Sequence, residues 1–288
     1  MSEQKKKQAG GITRREFLKD GGLIVGGAAI GAAITYPLVP KEEKVVEWWL
    51  PDKWDKEADV VIVGYGGAGA SAALTAAKEG AEVLVLEKAS VGGGNSKCIG
   101  GGLMTPIDEE KAMEYMKFLT LGLTEEDVLR AYIKRLLKLP EWLHALGIAG
   151  TEGEPITIPG LNPEWPNAPG AEGIKGYMIT GGPPTYNTIA GHAEDAGLEV
   201  MYETPARRLI QNEKTKEILG VIAESEGREI AIKARKAVVL ACGGFEFDDR
   251  MVVDNITECP TAWLGTPHKT RNLSGVVMPV GAQLWHMH

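Results

Sequence analysis

Asp59-Val60-Val61-Ile62-Val63-Gly64-Tyr65-Gly66-Gly67-Ala68-Gly69 is the stretch that decides the fold. Its first five residues form a short apolar, largely β-branched run, which reads as a buried strand. The run ends in a G-x-G-x-x-G, and Ala70 to Lys78 then reads as an alanine-rich helix. Gly80 stops that helix, Glu82-Val83-Leu84-Val85-Leu86 reads as a second strand, and Glu87 closes it. A G-x-G-x-x-G alone is weak, because glycine-rich turns arise by chance. Strand, loop, helix, strand and acid in this order supply the context the motif requires.

Each part has a physical task in a dinucleotide site. Gly64 permits the tight turn, Gly66 lets backbone approach a pyrophosphate, and Gly69 lets helix and strand pack closely. The helix N-terminus offers free N–H groups and the positive end of a dipole. Glu87 can accept hydrogen bonds from ribose hydroxyls, and its charge disfavours a 2′-phosphate. The motif by itself does not separate FAD from NAD.

The chain has 288 residues, 44% of them apolar and 24% charged, which is ordinary globular usage. Its 37 glycines exceed the average share of about 7% and suggest backbone brought close to a ligand. A net charge of -8 without a long basic run argues against a nucleic-acid partner. Cys98, Cys242 and Cys259 stand far apart with no metal spacing, so no metal site is expected, and they read as buried small hydrophobes.

The N-terminus reads as an address. Thr13-Arg14-Arg15-Glu16-Phe17-Leu18-Lys19 resembles a twin-arginine export motif, and Gly21 to Val39 carries no charge. Residues 1–40 are therefore expected to be a twin-arginine signal that takes a folded protein to the periplasm or cell surface. Residues 21–39 are also near the ~20 needed to span a bilayer, so membrane anchoring is the alternative. Residues 41–57 read as a charged, tryptophan-bearing linker, and the folded domain as 58–288.

A second glycine cluster follows the acid: Gly92-Gly93-Gly94-Asn95-Ser96-Lys97-Cys98-Ile99-Gly100-Gly101-Gly102. An NAD dehydrogenase has no need of it, whereas an extended flavin cofactor does. Together with Leu86-Glu87-Lys88, Tyr202-Glu203-Thr204-Pro205-Ala206 and Lys236-Ala237-Val238-Val239-Leu240-Ala241-Cys242-Gly243-Gly244-Phe245, it resembles one flavoprotein family. That family holds soluble fumarate reductases, succinate dehydrogenase flavoprotein subunits and 3-ketosteroid dehydrogenases.

The resemblance implies an α/β, Rossmann-like FAD-binding fold of the glutathione-reductase type, with a parallel sheet and a small antiparallel insert. FAD is the cofactor it implies. Gly64, Gly66, Ala68 and Gly69 would hold the pyrophosphate and Glu87 the adenosine ribose, with Gly67, Lys88 and Gly94 counted beside them. Asn95, Ser96, Gly101 and Gly102 would line the flavin side, Ser96 near its redox-active edge. Ala206 would meet the adenine and Gly243 would approach from a second strand. The plainer reading of Asn95 and Ser96 is a local Asx or ST turn.

Between the motifs, Thr124-Glu125-Glu126-Asp127 resembles a capping box opening a helix to about Leu137, and Pro140 opens another ending near Gly147. Residues 149–184 hold no periodic run and read as a long loop that could shelter substrate. Thr185 to Gly197 reads as a helix, followed by β runs at Leu198–Tyr202, Ala206–Gln211, Glu217–Ala223 and Glu229–Lys233. No chemistry is assigned to His144, His192, His268, His286 or His288, and no catalytic residue is identified.

Relatives of this family continue past the match with a cap domain and a last flavin-gripping stretch, so the domain is expected to be truncated. The family's T-G-D-G is replaced by Thr270-Arg271-Asn272-Leu273. An intact relative would transfer hydride between flavin N5 and an activated C=C bond of an unsaturated acid or enone, served by an electron-donor protein. A non-catalytic flavin-binding remnant and, more remotely, an NAD(P)-dependent dehydrogenase are the alternatives.

Overall fold

The chain first enters a sheet at β1 (Lys56–Val63), an eight-residue strand whose apolar half is buried on both sides. The structure, a computed structural model, describes residues 49–98, 102–148, 163–178, 182–256, 262–263, 265–268 and 273–284. The twin-arginine segment, residues 21–39, Gly101, Cys259 and Thr270 to Asn272 lie outside the described residues. Among the described residues no helix is long and apolar enough to cross a membrane.

From β1 the chain runs through helix α1 (Gly67–Lys78) into β2 (Val83–Leu86). The helix begins at Gly67, ahead of the alanine run. Its first turn is already held by the amide of Ala70, which donates to the Gly66 carbonyl at 2.9 Å. At the other end Gly80 takes the left-handed conformation (φ 79°). The amides of Gly80 and Ala81 then reach back to the carbonyls of Ala77 and Ala76. Glycine adopts that conformation without the steric cost a Cβ brings, so the helix stops where the sequence says it should.

An excursion follows: β3 (Gly102–Pro106), α2 (Glu109–Leu119), α3 (Glu126–Leu136), α4 (Leu139–Ala145) and β4 (Ile174–Met178). β3 and β4 pair antiparallel as a separate two-stranded sheet. Within the segment expected to be a loop over 149–184, Ile174–Met178 is therefore strand and Gly182 already opens the next helix, while 149–162 and 179–181 lie outside the described residues. The expected capping box is absent. Glu125, not Thr124, is the N-cap of α3, and it makes no side-chain cap bond.

Helix α5 (Gly182–Asp195) returns the chain to the main sheet through β5 (Glu199–Met201), β6 (Ala206–Gln211), β7 (Ile218–Ser225) and β8 (Arg228–Leu240). The sheet order is β5-β2-β1-β8-β7-β6. β5, β2, β1 and β8 run parallel, and β7 and β6 add an antiparallel pair at one edge. The β run read at Glu229–Lys233 is part of one longer, 13-residue strand that continues to Leu240. Its first half pairs with β7 and its second with β1, so β8 carries the chain from the insert into the parallel sheet.

Period-two alternation sets the layers. Ile62, Val83 and Val85 face α1, α5 and the α4 end, packing with Tyr65, Ala73, Leu74, Leu143, Ile189 and Ala193. Val61, Val63, Leu84 and Leu86 face the other way, against Leu209, Val221, Ala223, Ile232 and Val276. Each such aliphatic side chain contributes about 1.5–3 kcal/mol on burial, which explains why these central strands are nearly all apolar. The segment read as a linker also joins the fold at its end: Leu50 and Trp54 pack on Ile210, Ile222 and Ala231.

Candidate functional site

Three parallel strands end on one edge of the sheet, β1 at Val63, β2 at Leu86 and β8 at Leu240, and the chain leaves each of them differently. After β1 it makes the glycine loop, after β2 it turns at Glu87, and after β8 it runs without regular structure to Gly243, which is left-handed (φ 74°). Crevices outside the carboxyl ends of parallel strands are where ligands bind in such sheets. Here the crevice is a cleft of about 440 Å³.

Of the residues expected to hold a cofactor, Gly64, Gly66, Gly67, Ala68, Glu87, Lys88, Gly94, Asn95, Ser96, Ala206 and Gly243 all line this cleft. Gly69 does not, and its reason for being glycine is internal: an added Cβ would run into the Gly64 carbonyl oxygen. Gly64 is likewise fixed from within. It sits at φ 100°, and a Cβ there would lie 2.5 Å from the Ala241 carbonyl. Gly102 is in β3, paired with Met178, and is not among the lining residues.

Gly66 differs from both. Its φ of -86° suits any residue. A Cβ on it would meet only the Gly93 carbonyl, at an ordinary 3.6 Å. It is the N-cap of α1, and neither a side-chain cap bond nor an acidic residue occupies the helix's first turn. The positive end of the helix therefore faces the cleft with no carboxylate in its own first turn.

Glu87 is buried, and both carboxylate oxygens are used: Oε2 accepts from the Tyr65 amide at 2.9 Å and Oε1 from the Ala89 amide at 2.8 Å. The acid thus fixes the start of the glycine loop while its remaining lone pairs stay available to hydroxyl donors. Beside it, burial lowers the pKa of Lys88, against the opposing pull of Glu87 and Cys242. Burial also raises the pKa of the Cys242 thiol, and neither Cys242 nor Cys98 is in a disulfide. Cys98 is exposed, contrary to the expectation of a buried small hydrophobe, because it ends the short 3-10 turn Gly94–Lys97 on the surface.

Asn95 and Ser96 sit in the 3-10 turn Gly94–Lys97, but their side chains reach distant backbone instead of closing a local Asx or ST turn. Ser96 Oγ accepts from the Gly67 amide at 2.9 Å, tying the second glycine cluster to the first. Asn95 Oδ1 accepts from the Thr266 amide at 2.9 Å, across 171 residues of sequence. Behind the cluster, Tyr65 and Tyr186 meet edge to face at 5.9 Å, and Lys97 Nζ lies 5.0 Å over the Tyr186 ring. A Cβ on Gly92 would strike the Tyr186 hydroxyl.

Several lining residues carry no assignment from sequence: Tyr65, Leu240, Ala241, Cys242, Thr266 and His268. Ala241 and Cys242 could have been found, since they follow a strand that ends beside β1. Thr266 and His268 could not, because their segment has neither periodicity nor a motif. Of the other histidines, His144 is exposed and His192 bonds the Leu146 carbonyl at 3.2 Å. Among the described residues no group of His, Cys, Asp or Glu is arranged to hold a metal.

The sequence pattern of the FAD binding domain family matches residues 59–279. A NADH:fumarate oxidoreductase of Klebsiella pneumoniae is 27% identical over 239 residues, covering 79% of this chain and 24% of its own length. A digoxin reductase of Eggerthella lenta is 27% identical over 278 residues, covering 85% of this chain and 48% of its own. Among solved structures, the 3-ketosteroid-Δ4-(5α)-dehydrogenase of Rhodococcus jostii superposes with a TM-score of 0.70 at 25% identity, over 82% of this chain and 56% of that one. The chain thus spans about a quarter to about half of the length of these relatives.

Proposed function

Because this chain belongs to the FAD binding domain family, we propose that its cleft holds FAD and that it serves a flavin-dependent oxidoreductase acting on an activated C=C bond. The observation that carries the reading is Gly66. The protein's own packing gives no reason for glycine there, so the space its missing side chain leaves belongs to a ligand. The α1 N-terminus, with no acidic residue in its first turn, suits a pyrophosphate, and buried Glu87 suits a ribose without a 2′-phosphate.

FAD, when bound, supplies a hydride donor or acceptor at its flavin ring, and the substrate class is an unsaturated acid or enone. What this chain's residues do is hold and orient. Gly64, Gly66, Gly67 and Ala68 present backbone to the phosphates, and Glu87 accepts from ribose hydroxyls. Asn95, Ser96 and Gly94 form the facing wall, and Ala206 and Gly243 close the sides. The relatives' printed activities, on fumarate, on digoxin and on 3-ketosteroids, support an acceptor conjugated to a carbonyl or carboxylate.

The test is the visible spectrum of the purified, desalted full-length protein. Bands near ~450 and ~370 nm, released as FAD on denaturation, are the expected result. A soluble, colourless protein that ignores added FAD would overturn the reading. Flavin content without turnover of fumarate-like acids or enones would instead favour a flavin-binding, non-catalytic role. Nicotinamide-dependent turnover of a flavin-free protein would favour a dehydrogenase.

Export through Arg14 and Arg15, with or without retention by residues 21–39, belongs to the same proposal. It accords with a cofactor loaded in the cytoplasm before a folded protein crosses. Replacing both arginines by lysine should leave the flavin content unchanged and keep the protein in the cytoplasmic fraction. An electron-donor protein as partner completes the proposal.

A further inference from the structure

The cleft has two walls that sequence separates widely, and one side chain joins them. Asn95 Oδ1 accepts from the Thr266 amide at 2.9 Å. The neighbouring Gly265, at φ 142°, lies so close that a Cβ on it would sit 2.5 Å from Asn95 Oδ1 and 2.9 Å from Asn95 Cγ. Two independent features of the 265–268 segment, a donor and a missing side chain, therefore converge on the Asn95 carboxamide. The segment itself belongs to no helix or strand, and it contributes Thr266 and His268 to the cleft lining.

We infer that Asn95 is a positioning residue whose carboxamide holds Gly265–His268 across the cleft, so that His268 becomes part of the wall that retains FAD. The inference rests on the proposal that FAD occupies the cleft. Asn95 itself is anchored from the opposite side. The adjoining Ser96 hydroxyl is fixed on the Gly67 amide, and the Cys98 amide donates to the Asn95 carbonyl at 2.8 Å. A carboxamide held this way offers an acceptor in a fixed place, so the distant segment docks with little further ordering. His268 then acts through its position on the wall, and its side chain is exposed enough to be changed without disturbing a core.

The experiment uses the full chain and two readouts, amide hydrogen exchange over residues 262–268 and the FAD dissociation constant. Wild type should protect the Thr266 amide. Asn95→Ala should lose that protection and raise the dissociation constant about threefold to tenfold, the worth of one hydrogen bond. Gly265→Ala should reproduce both effects with Asn95 intact. His268→Ala should weaken FAD while leaving Thr266 protected.

The double variant Asn95→Ala/His268→Ala should lose no more affinity than Asn95→Ala alone, because one acts through the other. Additive losses would mean that His268 keeps its place on the wall without Asn95 and would overturn the inference. Unchanged exchange at Thr266 in both Asn95→Ala and Gly265→Ala would overturn it as well. If wild type takes up no FAD, it is the cofactor proposal that fails, and exchange in the cofactor-free chain still reads the Asn95–Thr266 contact.

Discussion

The paired strands β1 and β8 are joined in opposite ways at their two ends. Three residues into their parallel pairing, which begins at Lys56 and Ile232, lies a bulge, where Arg235 and Lys236 of β8 stand against the single residue Asp59 of β1. Both cations bind the Asp59 carboxylate, Arg235 Nε at 2.9 Å and Lys236 Nζ at 3.0 Å, and Arg235 also reaches Glu82. At the carboxyl end there is only backbone: Gly64 against Ala241, and Gly69 against Gly64. Charge is gathered where water can reach it, and side chains are cleared from the end that must face a polyanion. The cleft end is thus closed by close packing, and the far end by exposed electrostatics. Those two means of closure differ in strength.

The most severe break is a single methyl group at the cleft end. Gly69→Ala drives a Cβ into the Gly64 carbonyl, which neither helix α1 nor strand β1 can move aside. A loss of about 3 kcal/mol is expected, lowering the melting temperature by roughly 6–12 °C and abolishing FAD uptake. The same methyl three residues earlier separates ligand from fold. Gly66→Ala meets only the Gly93 carbonyl at 3.6 Å, so the melting temperature of the cofactor-free protein should stay within about 2 °C. FAD affinity should fall by about tenfold to a hundredfold, read by flavin titration. Equal effects of the two substitutions on stability would erase the distinction between glycines kept for packing and one kept for a ligand.

That distinction was legible in the motif, where Gly64 reads as the turn, Gly66 as the approach to a pyrophosphate and Gly69 as the packing contact. What the sequence also carried was most of the local structure around the cleft. Strand β1, helix α1, strand β2 and Glu87 follow from neighbouring residues: β-branched runs, a glycine stop and an acid at the strand end. Parts whose partners are distant in sequence were harder to read. Ile174–Met178 has no pattern of its own and is a strand only because Gly102–Pro106 lies beside it. Only Glu229–Lys233 of β8 was read as a strand, because Arg235 and Lys236 interrupt the apolar run, and the bulge that accommodates them requires Asp59 opposite. Thr266 and His268 reach the cleft through one bond to Asn95, which no local pattern encodes.

Glu87 tests the cleft end at intermediate strength. Its two oxygens accept from the Tyr65 and Ala89 amides. Glu87→Gln keeps one acceptor oxygen and leaves one of these amides facing an NH₂ group. The expected cost is about 1.5 kcal/mol, a melting temperature lower by roughly 3–6 °C, with the loop still formed. A larger fall would mean that the acid, more than the glycines, builds the loop.

The smallest effect belongs to the far end, and pH reads it. The hydrogen bonds of Arg235, then those of Lys236 and the Glu82 amide, hold the Asp59 carboxyl well below its ordinary value, at about 2. A group depressed on folding stabilises the folded state fully above its unfolded pKa of about 4. That contribution declines as pH falls from about 4 towards about 2, because the unfolded chain takes up the proton first. Asp59→Asn keeps the shape and removes the titration. Its melting temperature should therefore lie slightly below wild type at pH 7, and the two curves should converge between pH 4 and pH 2. The charges are exposed and screened, so the difference at pH 7 should also shrink in high salt, which Gly69→Ala should not do. A wide gap between the curves that persists in high salt would mean that Asp59 joins the strands by buried contact, and the two ends of the pair would then be closed by the same means.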